Sequence, residues 1–257
     1  MKSKLYYEEY GRKDGQSIIF INGWGTDHSG LERECLKYFL EYRCIFIDAL
    51  GCGKSPMYEK NGEFLCVQTA NEIIYLIDDL QLHNVILYGN CVGGWIGALV
   101  ALTCPKISHI IFLDGYLFFD REYLFFVLPI IARAFYIFFF QTWAGLSLSN
   151  LFVGFSQKIS KELIAEQKLI RSDVAVDYIR DLYRMERAGY REKISSIKVK
   201  SIFLVGEHTL PVIKRSQKYW IENVPNAIAD IVPHTSHLMV SENPEGLNKI
   251  VKKFMNT

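Results

Sequence analysis

Little in this chain of 257 residues points toward nucleic acid, export or a membrane span. Basic and acidic residues nearly balance, 29 against 28, which leaves a formal charge of +1. No basic run interrupts the balance, so the electrostatic footprint of a nucleic-acid binder is missing. The opening MKSKLYYEEYG has no apolar core of the kind a secretory leader needs, so a cytoplasmic protein is expected. The six cysteines (Cys35, Cys44, Cys52, Cys66, Cys91 and Cys104) include no Cys-x-x-Cys pair. Without an export context they read as thiols of a reducing compartment, five of them as small core residues. No stretch reaches the roughly 20 apolar residues that a spanning helix needs. Internal repeats, low-complexity tracts and linkers are also missing, which argues for one domain.

What the chain does have is an apolar half, enough for a sizeable core, arranged in alternating strand and helix patterns. Short apolar runs at residues 17–21, 44–47, 85–88, 109–113, 201–205 and 229–232 read as buried strands. Between them Val67, Ala70, Ile73, Ile74, Ile77 and Leu80 recur at helical spacing. Pro105 stops a further helix over about 92–103, and residues 243–254 read as an amphipathic closing helix. Such alternation implies the α/β class, a mainly parallel sheet covered on both faces. The alternation lapses over 116–190, where only helical patterns occur. The expected layout is therefore a core of residues 1–115 and 191–257 with a helical cap inserted at 116–190.

The most informative stretch is Val85-Ile86-Leu87-Tyr88-Gly89-Asn90-Cys91-Val92-Gly93-Gly94-Trp95. An apolar strand runs into Gly-x-Cys-x-Gly and then into small helix formers, the pattern of a nucleophile elbow with a thiol in place of serine. Such a turn forces its central residue into strained φ/ψ, and glycine on either side relieves the crowding. The competing reading is a buried cysteine in a Gly-rich turn.

Further landmarks fall in a fixed order around the elbow. Phe20-Ile21-Asn22-Gly23-Trp24-Gly25 follows the first central strand, and Asp48-Ala49-Leu50-Gly51-Cys52-Gly53-Lys54-Ser55 follows the next. Val205-Gly206-Glu207-His208 and His234-Thr235-Ser236-His237, with Glu242-Asn243-Pro244 behind it, come near the end. Together these resemble the α/β-hydrolases, in their small-esterase and acyl-hydrolase arrangement, over nearly the whole chain outside the cap. The resemblance implies a mostly parallel central sheet with helices on both faces and a cap inserted after the sixth strand. It also implies Cys91 as nucleophile and His237 as general base, with His234 the rival. The backbone N–H groups of Trp24 and Val92 would form an oxyanion hole, each donor worth about 3 kcal/mol to the transition state. Asn22 stands where the family has histidine, a departure that bears on loop support.

A thiol suits acyl transfer, because the thiolate is a good nucleophile and both a helix N-terminus and an imidazole favour the anion. Histidine suits proton transfer, since its ordinary pKa of about 6.5 lets it take and return a proton near neutrality. The acid is open. The family expects Asp or Glu after Gly206-Glu207-His208, and this chain has Thr209. Asp114 at the end of the preceding strand, an inward-turned Glu207, or a Cys–His dyad are the alternatives. His28, His83, His109 and His208 read as surface or loop residues. Gly51 and Gly53 shape a loop without the rest of a phosphate motif, and no cofactor or metal is expected.

The start of the cap is unusually aromatic, with Phe118, Phe119, Phe125, Phe126, Phe135, Phe138, Phe139 and Phe140 within 117–140. Asp120, Arg121, Glu122, Arg133 and Pro129 interrupt it. These rings either pack the cap onto the sheet, or line an acyl tunnel and rest on a membrane surface. Asn22, Gly23, Tyr116, Phe118 and Phe119 are the candidate substrate-binding residues. The expected substrate is a small hydrophobic acyl thioester, ester or amide, free or presented on coenzyme A or a carrier protein. The acceptor decides between an acyl hydrolase and an acyltransferase or cyclase. A non-catalytic ligand-binding member and a membrane-associated partner protein are the rivals from other classes.

Overall fold

In a computed structural model the described residues are 2–119, 128–153 and 167–256. They build one seven-stranded sheet flanked by helices. The strands are β1 (Tyr7–Gly11), β2 (Ser17–Ile21), β3 (Arg43–Ile47), β4 (Val85–Asn90), β5 (Ile107–Leu113), β6 (Lys200–Gly206) and β7 (Ala227–Val232). Their spatial order is β1-β3-β2-β4-β5-β6-β7, with β1 antiparallel to β3 and every other pairing parallel. The central strands are apolar at consecutive positions because both faces are covered. In β2, Ile19 and Ile21 enter one core while Ile18 and Phe20 enter the other.

The helices follow from the same sequence logic. α1 (Ser29–Cys35) buries Leu31 and Cys35, and α2 (Leu65–Asp79) buries Leu65, Ala70, Ile73 and Ile77 at helical spacing. α3 (Val92–Thr103) is buried along nearly all its length, and its glycines let it lie close to the sheet. A Cβ at Gly94 would stand 1.9 Å from the Phe112 ring. Past β5 come α4 (Pro129–Gln141), α5 (Trp143–Val153) and α6 (Ser172–Arg187), then β6, α7 (Pro211–Asn223), β7 and the closing α8 (Pro244–Met255). The helical insertion thus begins after the fifth strand, one earlier than expected, because the single edge strand β1 precedes β2. Phe125 and Phe126 of the aromatic stretch, with Asp120, Arg121 and Glu122, lie outside the described residues. Among the described residues no helix is long and apolar enough to cross a membrane.

Strand order also says where a site belongs. From β2 the chain winds outward to β3 in one direction, and from β4 it winds outward in the other. At such a switch point the loops leaving the two strands diverge and open a crevice beyond their carboxyl ends. Those loops are Asn22-Gly23-Trp24-Gly25 after β2 and Cys91 after β4.

Candidate active site

Cys91 sits between the last residue of β4 and the first of α3, with φ 51° and ψ −108°. A non-glycine residue held there costs on the order of 1–3 kcal/mol, so the surroundings must over-determine it. They do so with backbone bonds: Cys91 N–H donates to Leu113 O at 2.8 Å, and Gly94 N–H donates to Cys91 O at 3.1 Å. Glycine is required on either side by close approach. A Cβ on Gly89 would come within 2.4 Å of Gly93 O, and one on Gly93 within 2.3 Å of Ile21 O. The thiol is mostly buried, with 7% of the residue exposed, and it acts on the His237 ring, helping to raise its pKa.

His237 arrives from the loop between β7 and α8. That loop is pinned by Ser236, whose N–H and Oγ donate to Glu242 at 2.5 and 2.8 Å. It lies against the β6 turn so closely that a Cβ on Gly206 would meet Ser236 O at 2.1 Å. The ring's Nδ1–H donates to Asp114 Oδ2 at 2.5 Å. Asp114 follows β5, has φ 44°, and is fully buried. Its Oδ1 accepts from Gly206 N–H at 3.0 Å, and its Oδ2 accepts from the Thr209 hydroxyl at 2.6 Å. Burial alone would lower the pKa of His237. The hydrogen bonds to Asp114 and Cys91, with the charges of both, outweigh it and raise the value from 6.5 to about 10.

Among the three alternatives for the acid, it is Asp114 that stands beside the imidazole. Thr209, at the family's acid position, donates to Asp114 and so steadies that carboxylate. Glu207 turns outward and accepts His234 N–H at 2.8 Å, a turn cap. The rival His234 has a side chain 89% exposed and takes no part. His28 is in a loop, as expected, but buried there, because Asp48 draws it inward.

The remaining candidates divide. Val92 opens α3, where the first-turn N–H groups lack intrahelical acceptors. Trp24 ties its loop to the insertion: Nε1–H donates to Ala175 O of α6 at 2.6 Å. Its ring meets Tyr136 and Phe140 of α4 edge-on at 5.1 Å each. Gly25, with φ +68°, leaves room for Ile170 and Ala175. Gly23 packs on Asn90, where a Cβ would stand 3.0 Å from Nδ2. Asn22 is buried, and among the described residues neither atom of its carboxamide finds a hydrogen-bond partner. Tyr116 lies edge-on to His237 at 5.8 Å, with Phe119 at 6.1 Å behind it. Phe118, expected beside them, turns instead to Tyr219 and the guanidinium groups of Arg191 and Arg215. Those cations reward an aromatic face there more than the pocket would. Sequence reasoning missed Ala175 and the support from Ser236. The hydroxyl at position 209, where a carboxylate was due, was the available hint to look elsewhere for the partner of His237.

A family model described as alpha/beta hydrolase fold matches residues 16–244. Over 125 residues the chain is 34% identical to the "Putative proline iminopeptidase" of Mycoplasma genitalium, covering 46% of this chain and 38% of that protein. Over 102 residues it is 28% identical to 3-oxoadipate enol-lactonase 2 of Acinetobacter baylyi, covering 40% and 38%. The chain thus spans about two fifths of the length of the curated relatives it matches. The solved structure of MenH from S. aureus superposes with a TM-score of 0.77 over 98% of both chains at 19% identity, a likeness of fold alone.

Proposed function

The chain belongs to the alpha/beta hydrolase fold family, and from that premise we propose that it is an acyl hydrolase working through an acyl-Cys91 intermediate. The observation that carries the reading is the hydrogen bond from His237 to buried Asp114, with the Cys91 thiol acting on the same ring from a strained elbow. Cys91 Sγ attacks the carbonyl carbon of a hydrophobic acyl group, its proton resting on His237. The oxyanion that forms is met by the backbone N–H groups of Trp24 and Val92. The tetrahedral species collapses, the bond to the leaving group breaks, and the imidazolium returns its proton to that group. Water then attacks the thioester with His237 as base, and Cys91 is released. Asp114 holds the ring tautomer and balances the imidazolium charge, which the raised pKa of His237 reflects.

A thioester on coenzyme A or a carrier protein suits a sulfur nucleophile best, since thiol exchange is nearly neutral in energy. Tyr116 and Phe119, beside His237, supply the apolar wall such a group needs. An amine or alcohol in place of water would make the same relay an acyltransferase. The test is intact-mass spectrometry after mixing the protein with acyl thioesters and p-nitrophenyl esters of graded chain length. An acyl adduct that maps to Cys91 and decays in water is expected. Turnover without any adduct, or turnover that survives Cys91→Ala, would end the proposal.

A further inference from the structure

Away from the relay, a second histidine is fixed by a second buried aspartate. His28, just ahead of α1, places Nδ1 2.8 Å from Oδ1 of Asp48, which follows β3. A carboxylate oxygen only accepts, so Nδ1 carries the proton, and in the neutral ring Nε2 presents a lone pair. That atom lies 3.4 Å from Glu8 Oε1 and 3.8 Å from Glu32 Oε2. Electron-rich atoms gathered this closely repel unless a cation stands among them, either a proton on the ring or a metal ion.

The geometry points to a site for a divalent transition-metal ion of the Zn2+ type, built from Glu8, His28 and Glu32. A tetrahedral ion with bonds of about 2.0–2.2 Å separates its ligand atoms by about 3.3–3.6 Å. The three ligand atoms here lie within 4.8 Å of one another, so small rotations of two glutamates close the shell, with water as the fourth ligand. The outer contacts are those of a built site. Asp48 orients the imidazole, and the Tyr6 and Tyr10 hydroxyls donate to the two oxygens of Glu8 at 2.5 and 2.6 Å. A competing cation, Lys54 Nζ at 3.4 Å from Glu8 Oε1, also donates to Tyr6 Oη at 2.8 Å and is on a side chain 62% exposed. An imidazole with two carboxylates selects Zn2+ or a neighbouring first-row ion over Mg2+ or Ca2+. Because Glu8 is in the antiparallel edge strand and His28 and Glu32 are one turn apart at α1, the ion would clamp the sheet's edge to its first helix.

The experiment titrates tag-free, metal-stripped Cys91→Ala protein with Zn2+ by calorimetry and melts it with and without the ion. That background removes the relay's thiol as a competing ligand. One Zn2+ per chain and a rise in Tm are expected, with Glu32→Gln and Glu8→Gln each weakening binding at least tenfold while melting normally without metal. His28→Gln should abolish binding, and if it fails to fold the two glutamate variants decide. Absence of Zn2+ binding by the parent, or affinity unchanged in both glutamate variants, would overturn the site.

Discussion

His237 and His28 are built on one plan, and we propose different uses for them. Each has Nδ1 held by a fully buried aspartate at the carboxyl end of a parallel strand, Asp114 after β5 and Asp48 after β3. The two separate at the other nitrogen: His237 meets the thiol of Cys91, whereas His28 meets two glutamates. A carboxylate–imidazole pair therefore fixes a tautomer and a direction, and the atom opposite Nε2 decides whether the result is proton transfer or cation binding. Position reinforces the division. Asp114 and Cys91 stand beside the switch point between β2 and β4, while Glu8 is on the edge strand at the sheet's far margin.

Substitutions can break this comparison on either side. Cys91→Ala should lower turnover at least ~1000-fold and remove the adduct, because a residue acting in a relay takes most of the relay's effect with it. Asp114→Asn should lower kcat by roughly 100-fold or more by releasing the tautomer. A rate close to that of the wild type in this variant would mean that the thiol and imidazole act as a dyad. Asp48→Asn is the mirror experiment. It weakens the bonds accepted from His28 N–H and Lys54 N–H, both 2.8 Å, and should lower stability by about 1–3 kcal/mol while leaving kcat within a few-fold.

The comparison sharpens with pH. His237 binds its proton more tightly in the folded state, with a pKa of about 10 against the ordinary 6.5. The stability this contributes is fully present below pH 6.5 and is lost as pH rises through about 10. The Tm advantage of wild type over His237→Gln should therefore be widest near pH 6 and shrink toward pH 10, a trend that pH-resolved thermal melts would read. A smaller effect is expected at the tether. Trp24→Phe keeps an aromatic side chain, though a smaller one, and removes the donor to Ala175, costing at least about 1 kcal/mol, or 2–4 °C in Tm, with the Cys91 adduct retained.

Much of this was legible before folding. The central strands betray themselves because burial on both faces leaves no polar positions, and the elbow because close approach to Gly93 O and Ile21 O admits only glycine on its flanks. β1 went unread, since an edge strand of Tyr7-Glu8-Glu9-Tyr10-Gly11 is only partly buried and carries no apolar alternation. α7 was missed although Ile213, Ser216 and Trp220 recur along one buried face. The choice among Asp114, Glu207 and a dyad depends on a contact between residues 123 apart, which no local pattern encodes. The same holds for His28, whose burial rests on a partner 20 residues away. Phe118 shows the converse: an aromatic beside the relay in sequence is claimed by two arginines once the chain folds.

If Cys91 alone among the six thiols is poised as a nucleophile, native-state alkylation with iodoacetamide, resolved by peptide mass spectrometry, will single it out. Burial pushes the thiols of Cys35, Cys44 and Cys52 up to about 12 and that of Cys66 higher still, so those four should resist the reagent near pH 7. Cys91 should be modified at least tenfold faster than any other cysteine, and His237→Gln should erase that lead. Labelling of Cys91 no faster than its neighbours, or unchanged by the loss of His237, would contradict the account.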